Sequence, residues 1–221
     1  FMRPRQRATP AQAAATGYLN QLAEGWRYAL ARQHLRAAVI FAGIGALAGR
    51  SVLETLPILA NGVFGQGPSG LGYMTAAAGA GAAAASIFKA LSRPQTPGEF
   101  QPQILAMPVI IPLLVAAFAM IGDFATAVAA VALVGATVTL MSISLQSTVQ
   151  MEIEDQYRGR VMGLWTTISI GSGAAGAVLM GFLVDLVGVA PAQLLIGLVL
   201  TAASILVLLR FRRGISQPDA R

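Results

Sequence analysis

The sequence has no cysteine and a single histidine, His34. The first absence excludes disulfides, zinc–thiolate sites, iron–sulfur clusters and thiol nucleophiles. The second leaves no histidine cluster to hold a metal, so neither a metal site nor a cofactor is expected. Charge is also scarce. Only 11% of the 221 residues are Asp, Glu, Lys or Arg, under half of the ~25% with which a soluble domain wets its surface. An ordinary water-soluble enzyme domain is therefore excluded. Acidic residues are the scarcest, 9 against 15 basic ones, for a net charge of +6 and a pI near 10.8. A nucleic-acid-binding domain shares such a pI but displays its basic residues on a wetted polar face. Here they stand in short clusters between long apolar runs, so no nucleic-acid partner is expected. What the chain has in abundance is 56% hydrophobic residues and 24 glycines, with a mean hydropathy of +0.68. That is the composition of helices that approach one another closely in lipid.

A bilayer core of ~30 Å needs about 20 apolar residues per helix. Six runs meet that need: Leu35 to Asn61, Ser69 to Leu91, Ile104 to Gly122, Phe124 to Gln150, Val161 to Leu186, and Pro191 to Leu209. Gly65-Gln66-Gly67-Pro68 and Gly188-Val189-Ala190-Pro191 are turns, the latter with Pro191 placed for a first helical turn. Asp123 alone separates the third and fourth runs, and a single re-entrant element there would lower the span count. The expected fold is an all-α membrane protein of six transmembrane helices over 35–210. A cytoplasmic linker and interfacial helix (1–34) precede it and a basic tail (211–221) follows. Every basic residue but Arg50 falls before or at the start of the first run, at or beyond the end of the second, or after the fourth and sixth. Basic residues collect on the cytoplasmic side, which places both termini there. Tyr18 to Gln33 carries Leu19, Leu22, Trp26 and Leu30 on one helical face, as either an interfacial helix or a solvated connector would. Arg3 to Ala15 reads as a linker, and Phe1 ahead of Met2 as the edge of a piece cut from a longer chain.

Arg50 and Glu54 stand four residues apart inside the first run. A charge at mid-membrane costs at least ~2.5–3.5 kcal/mol, and the i,i+4 spacing supplies each with a partner. They form either a substrate- or proton-responsive pair lining a cavity or a static ion pair locking two helices. Pro57, Pro108 and Pro112 should bend the first and third helices. Gln146 and Gln150 form a second i,i+4 pair, facing either a polar path or a neighbouring helix. Gly173, Ala177 and Gly181, like Gly72, Ala76, Ala80 and Ala84, make small-residue stripes of the kind that let backbones touch. The loop holding Glu152, Glu154, Asp155, Arg158 and Arg160 is either a wetted turn or a gating charge lock that breaks as helices rock. Gly67-Pro68-Ser69-Gly70 has the Gly-x-Ser-Gly pattern of an intramembrane serine protease, but His34 lies across the membrane from it and no later run offers a histidine base. Nor is there a phosphate-binding loop, so the protein is not expected to be an enzyme or an ATP-driven pump.

Several stretches resemble the major facilitator superfamily. Gly25-Trp26-Arg27-Tyr28 is similar to its central cytoplasmic loop, and Arg50 through Pro57 to a seventh helix. Tyr157-Arg158-Gly159-Arg160-Val161-Met162-Gly163-Leu164 resembles the turn between its tenth and eleventh helices, and Gly176 through Asp185 its glycine-rich eleventh. The likeness is to the branch of siderophore (enterobactin-type) exporters and transmembrane secretion effectors. Phe88 through Pro94 departs from it, lacking the Gly and Asp of the signature between helices eight and nine. The resemblance implies the C-terminal half of a twelve-helix fold built from inverted three-helix repeats, working by alternating access. It implies export of a small organic molecule across a bacterial inner membrane, with a proton gradient as energy source and Glu54 as the protonation candidate. The partners would be the lipid bilayer, the small-molecule substrate, and a missing N-terminal half or a second copy. The rival reading is a non-transporting six-helix scaffold or a half-size transporter acting as a homodimer. Low charge and 7% aromatic residues favour an amphipathic or hydrophobic solute over a sugar phosphate.

Overall fold

The computed structural model describes residues 27–92 except 29, 102–155 and 157–215. Among these, the regular elements are all helical. They are α1 (Gln33–Ile58, prolonged by a π-helical turn Leu59–Val63), α2 (Gly67–Leu91), α3 (Pro102–Phe118), α4 (Phe124–Glu152), α5 (Arg158–Val187) and α6 (Val189–Ile215). Five helices are long and apolar enough to cross a membrane, while the apolar part of α3, Leu105–Phe118, is shorter. The chain is thus a membrane helical bundle. The linker and most of the expected interfacial helix lie outside the described residues. The last part of that helix is helical at Arg27, Tyr28, Leu30 and Ala31, then breaks at Arg32, which adopts an extended conformation before α1.

The turns follow from their residues. Gly65 and Gly67 both adopt φ of +62°, where a side chain would be strained, and Pro68 enters the first turn of α2. Gly188, at φ +86°, ends α5 and lets α6 begin at the next residue. Two boundaries differ most from the apolar pattern. The third helix stops at Phe118 rather than Gly122. Ala119, Met120 and Ile121 donate to carbonyls three residues back, a tightening that closes a helix before a loop. Asp123 then caps α4, its carboxylate accepting from the Thr126 N–H at 2.8 Å. The last helix continues past Leu209 to Ile215. Phe211 is buried, so the bundle reaches beyond 210.

α1 is the most enclosed element: 56% of its apolar window is buried, against 11% for α2. Phe41, Val52 and Leu56 meet Ile111, Val115, Val131 and Leu145 in the core. The most extensive helix pairs are α2 with α4, α1 with α5, and α3 with α6. Each closes on a glycine. A Cβ on Gly81 would stand 1.9 Å from the Ala132 carbonyl oxygen, one on Gly176 2.8 Å from that of Leu47, and one on Gly197 2.7 Å from that of Pro112. The stripe Gly72, Ala76, Ala80, Ala84 is not the packing face of α2. All four are exposed, and Gly70, Met74, Ala78 and Ala85 are buried instead. Small residues populate both faces of this helix, so spacing alone did not separate them.

The prolines shape two helices. Pro112 has no N–H to donate to the carbonyl of Pro108 four residues earlier. The Ser204 hydroxyl on α6 donates to that carbonyl instead, at 2.6 Å. Beyond Pro57 the helix widens into the π-helical turn, where the Asn61 side-chain amide donates to the Pro57 carbonyl at 3.0 Å.

Candidate functional site

Helices α1, α2, α4 and α5 line an open cavity of about 980 Å³. Each contributes a stripe at helical spacing, such as Ala46, Gly49, Arg50 and Leu53 on α1. The walls are made almost wholly of Gly, Ala, Val, Leu and Ile, so small side chains here serve the space between helices as well as their contact. The volume is that of a pocket for a drug-sized molecule.

Arg50 lies on this wall, its Nε donating to Glu54 Oε1 at 2.8 Å. Both side chains keep about half of their surface open, 54% and 42%. Glu54 stands one turn further along α1, outside the lining. Gly173 of α5 is buried beneath the stem of Arg50, and a Cβ there would sit 3.8 Å from Arg50 Cγ. Ala177 also lines the cavity, while a Cβ on Gly181 would meet nothing within 4 Å. α5 approaches α1 closely at Gly176, where a Cβ would stand 2.8 Å from the Leu47 carbonyl oxygen. Gln146 is half-buried and Gln150 exposed, and neither lines the cavity.

The charged loop between α4 and α5 meets a partner that the sequence did not single out. Glu154 pairs with Arg32 at the start of α1 and lies within hydrogen-bond distance of the Tyr28 hydroxyl, at 3.5 Å. The Tyr28 ring stacks on Tyr157 with centroids 4.3 Å apart, and Arg32 lies over the Tyr28 ring at 4.5 Å. Arg32 also reaches the Glu152 carbonyl at 3.5 Å, and Arg158 pairs with Asp155 at 3.3 Å. Glu152 and Arg160 are engaged in further interactions of their own. The segment before α1 is thereby tied to the α4–α5 loop. Arg36, one turn on, sets its guanidinium 4.8 Å over the Phe211 ring of α6.

Reading the sequence also missed two buried polar contacts. The Gln193 amide donates to Thr55 Oγ1 at 2.9 Å, joining α6 to α1, and Ser204 reaches the Pro108 carbonyl. A signal existed for the second: the Pro-x-x-x-Pro spacing leaves a carbonyl that needs a donor. For the first, the only hint is a lone Gln in an apolar helix.

A polytopic bundle of apolar helices around a solute-sized cavity, with the arginine of one ion pair on its wall, has the architecture of a membrane transporter. The family model for transmembrane secretion effectors of the major facilitator superfamily matches residues 1–219, and the chain belongs to that family. No curated protein and no solved structure gives a significant match. The protein is a multi-pass membrane protein resident in a lipid bilayer, of a family of transporters rather than enzymes.

Proposed function

We propose that the chain forms the C-terminal six-helix half of a secondary active transporter that exports a small organic molecule by alternating access. In this reading the process is proton-coupled, and Glu54 takes the proton. The observation that carries the proposal is the position of the Arg50–Glu54 pair on α1, with Arg50 on the wall of an apolar cavity and Glu54 one turn beyond it. Protonating Glu54 removes the charge that holds Arg50, which gives the pair two arrangements. An inverted repeat exchanging α1–α3 with α4–α6 would convert the α1–α5 contact into the α4–α2 contact, and these are two of the three largest helix interfaces. The 17 residues of α3 give it ~25 Å of length, near the lower limit for a crossing, and we count it as the sixth span. The other wall would come from a second six-helix half or a second copy. The basic clusters put both termini on the cytoplasmic side of the cell membrane, so the ties from Arg32 to Glu154 and from Arg158 to Asp155 form a cytoplasmic gate that opens as the helices rock.

The test is Glu54→Gln in the full-length protein, reconstituted and energised by a pH gradient. Transport should lose its dependence on the gradient. Transport with an unchanged pH profile would remove Glu54 from the mechanism.

A further inference from the structure

We propose that the start of α1 and the end of α6 together hold the phosphate of an anionic phospholipid, with Arg36 as its central contact. The site is separate from the cavity and does not depend on what that cavity carries. Two arginines stand one turn apart at the start of α1, and they differ in their partners. Arg32 pairs with Glu154 and reaches the Glu152 carbonyl. Arg36 enters none of the described ion pairs, whose cations are Arg32, Arg50 and Arg158. Its Nε is shut off from solvent and has no hydrogen-bond partner among the described residues. A buried donor left unmet is costly, and more so on a charged group. The Phe211 ring, 4.8 Å from the guanidinium carbon, attracts the charge through its face but offers the N–H donors no oxygen. Arg36 is only half-buried, so its terminal nitrogens are left to an acceptor from outside the bundle.

The level of this arginine points to the acceptor. The apolar run of α1 begins at Leu35 and that of α6 ends at Leu209. Arg36 and Arg210 therefore both stand at the edge of the hydrocarbon core, where the headgroup region begins. The two helices pack on one another, and Phe211 joins their ends. From there α6 turns a stripe of large apolar residues outward. Leu195, Val199, Leu206 and Leu209, with Ala202 between them, are all exposed and recur at the spacing of one helical face. From Leu195 to Leu209 the helix rises ~21 Å, more than the half of a ~30 Å core that one leaflet fills. The stripe is long enough for an acyl chain and leads up to Arg210, itself exposed.

The local charge selects an anionic headgroup. No acidic residue lies on α6, and the one on α1, Glu54, is bonded to Arg50 about five turns away. A phosphodiester presents two oxygens that match the planar fork of a guanidinium. A choline headgroup would bring its own cation beside Arg36 and Arg210, whereas a glycerol headgroup brings none. Basic pockets between membrane helices hold anionic headgroups in this way.

The test uses the full-length protein in dodecylmaltoside and native mass spectrometry, which resolves each bound lipid. Dioleoylphosphatidylglycerol, dioleoylphosphatidylcholine and inorganic phosphate are titrated separately. The first phosphatidylglycerol should bind at least about tenfold more tightly than either of the others. Arg36→Gln should abolish that preference, while Lys89→Gln, which removes a cation from the end of α2, should keep it. Thermal unfolding separates the lipid from a protein acceptor. Without phosphatidylglycerol, Arg36→Gln should unfold at the wild-type midpoint or above it, because it removes an unmet charge. Added phosphatidylglycerol should raise the midpoint of the wild type and not of the variant. Equal loss in Lys89→Gln would mean a diffuse attraction to basic residues, and equal binding of phosphate a site for the free anion. A midpoint lowered by Arg36→Gln in the absence of lipid would mean that a carboxylate elsewhere in the protein meets Arg36. Each of these, or a wild type without preference for phosphatidylglycerol, would overturn the proposal.

Discussion

At the scale of single residues, Gly173 shows how a small side chain is used. The distance of 3.8 Å from a Cβ at this position to Arg50 Cγ is ordinary van der Waals contact, so Gly173→Ala should leave transport close to wild type. A longer side chain must push the arginine stem off α5. Gly173→Leu should lower transport by roughly tenfold or more, in the way a misplaced functional group does, while thermal stability in detergent changes little. Equal loss in both variants would refute this positioning role. Asp123 shows a different residue-level effect. The Thr126 N–H, donating to its carboxylate, holds Asp123 below the usual carboxylate range. Its contribution to stability is then complete above that range and is lost as pH falls through the lowered value. Asp123→Ala should reduce stability at neutral pH and flatten the acid limb of a stability–pH curve. A curve parallel to wild type would contradict the cap.

At the scale of elements, the bundle is assembled through backbone approach. A Cβ on Gly81 would stand 1.9 Å from the Ala132 carbonyl oxygen, and one on Gly135 2.3 Å from that of Ala78. The α2–α4 interface cannot accept either methyl group without separating the helices. Gly81→Ala should cost about 1–3 kcal/mol, read as a lower unfolding midpoint in detergent. Gly72→Ala should be neutral or slightly stabilising, since nothing lies within 4 Å of its Cβ position and alanine is the better helix former. The reverse order would place the packing face on the stripe at Gly72. The α3–α6 pair adds a polar tie, Ser204 to the carbonyl of Pro108, which answers a deficit written in the proline spacing.

For the whole molecule, the threading of the helices through the bilayer is read by labelling from its two sides. The absence of cysteine makes single reporters clean. Gln66→Cys, Gly122→Cys and Ala190→Cys should react with a membrane-impermeant maleimide from outside the cell, while Ser92→Cys and Gly159→Cys should react only after permeabilisation. Labelling of Gly122→Cys from the same side as Ser92→Cys would mean that α3 does not cross. The tie from Tyr28 and Arg32 to Glu154 belongs to this scale too, because it joins segments 122 or more residues apart in sequence.

Much of this architecture was legible in the sequence. Long apolar runs can only be helices in lipid, and glycine and proline at 65, 67, 68, 188 and 191 marked the turns, because backbone conformation there is a local property. The i,i+4 relation of Arg50 and Glu54 was legible for the same reason, being internal to one helix. Tertiary structure alone decided which side of each helix faces which neighbour. Alanine and glycine line several faces of α2 and α5, and hydropathy in a membrane protein does not separate an inward face from a lipid-facing one. The packing role of Gly81 and Gly176, the cavity beside Arg50, the bond from Gln193 to Thr55 and the pairing of Arg32 with Glu154 all depend on helix rotation. That rotation is set by how closely two backbones can approach, which no single stretch of sequence contains.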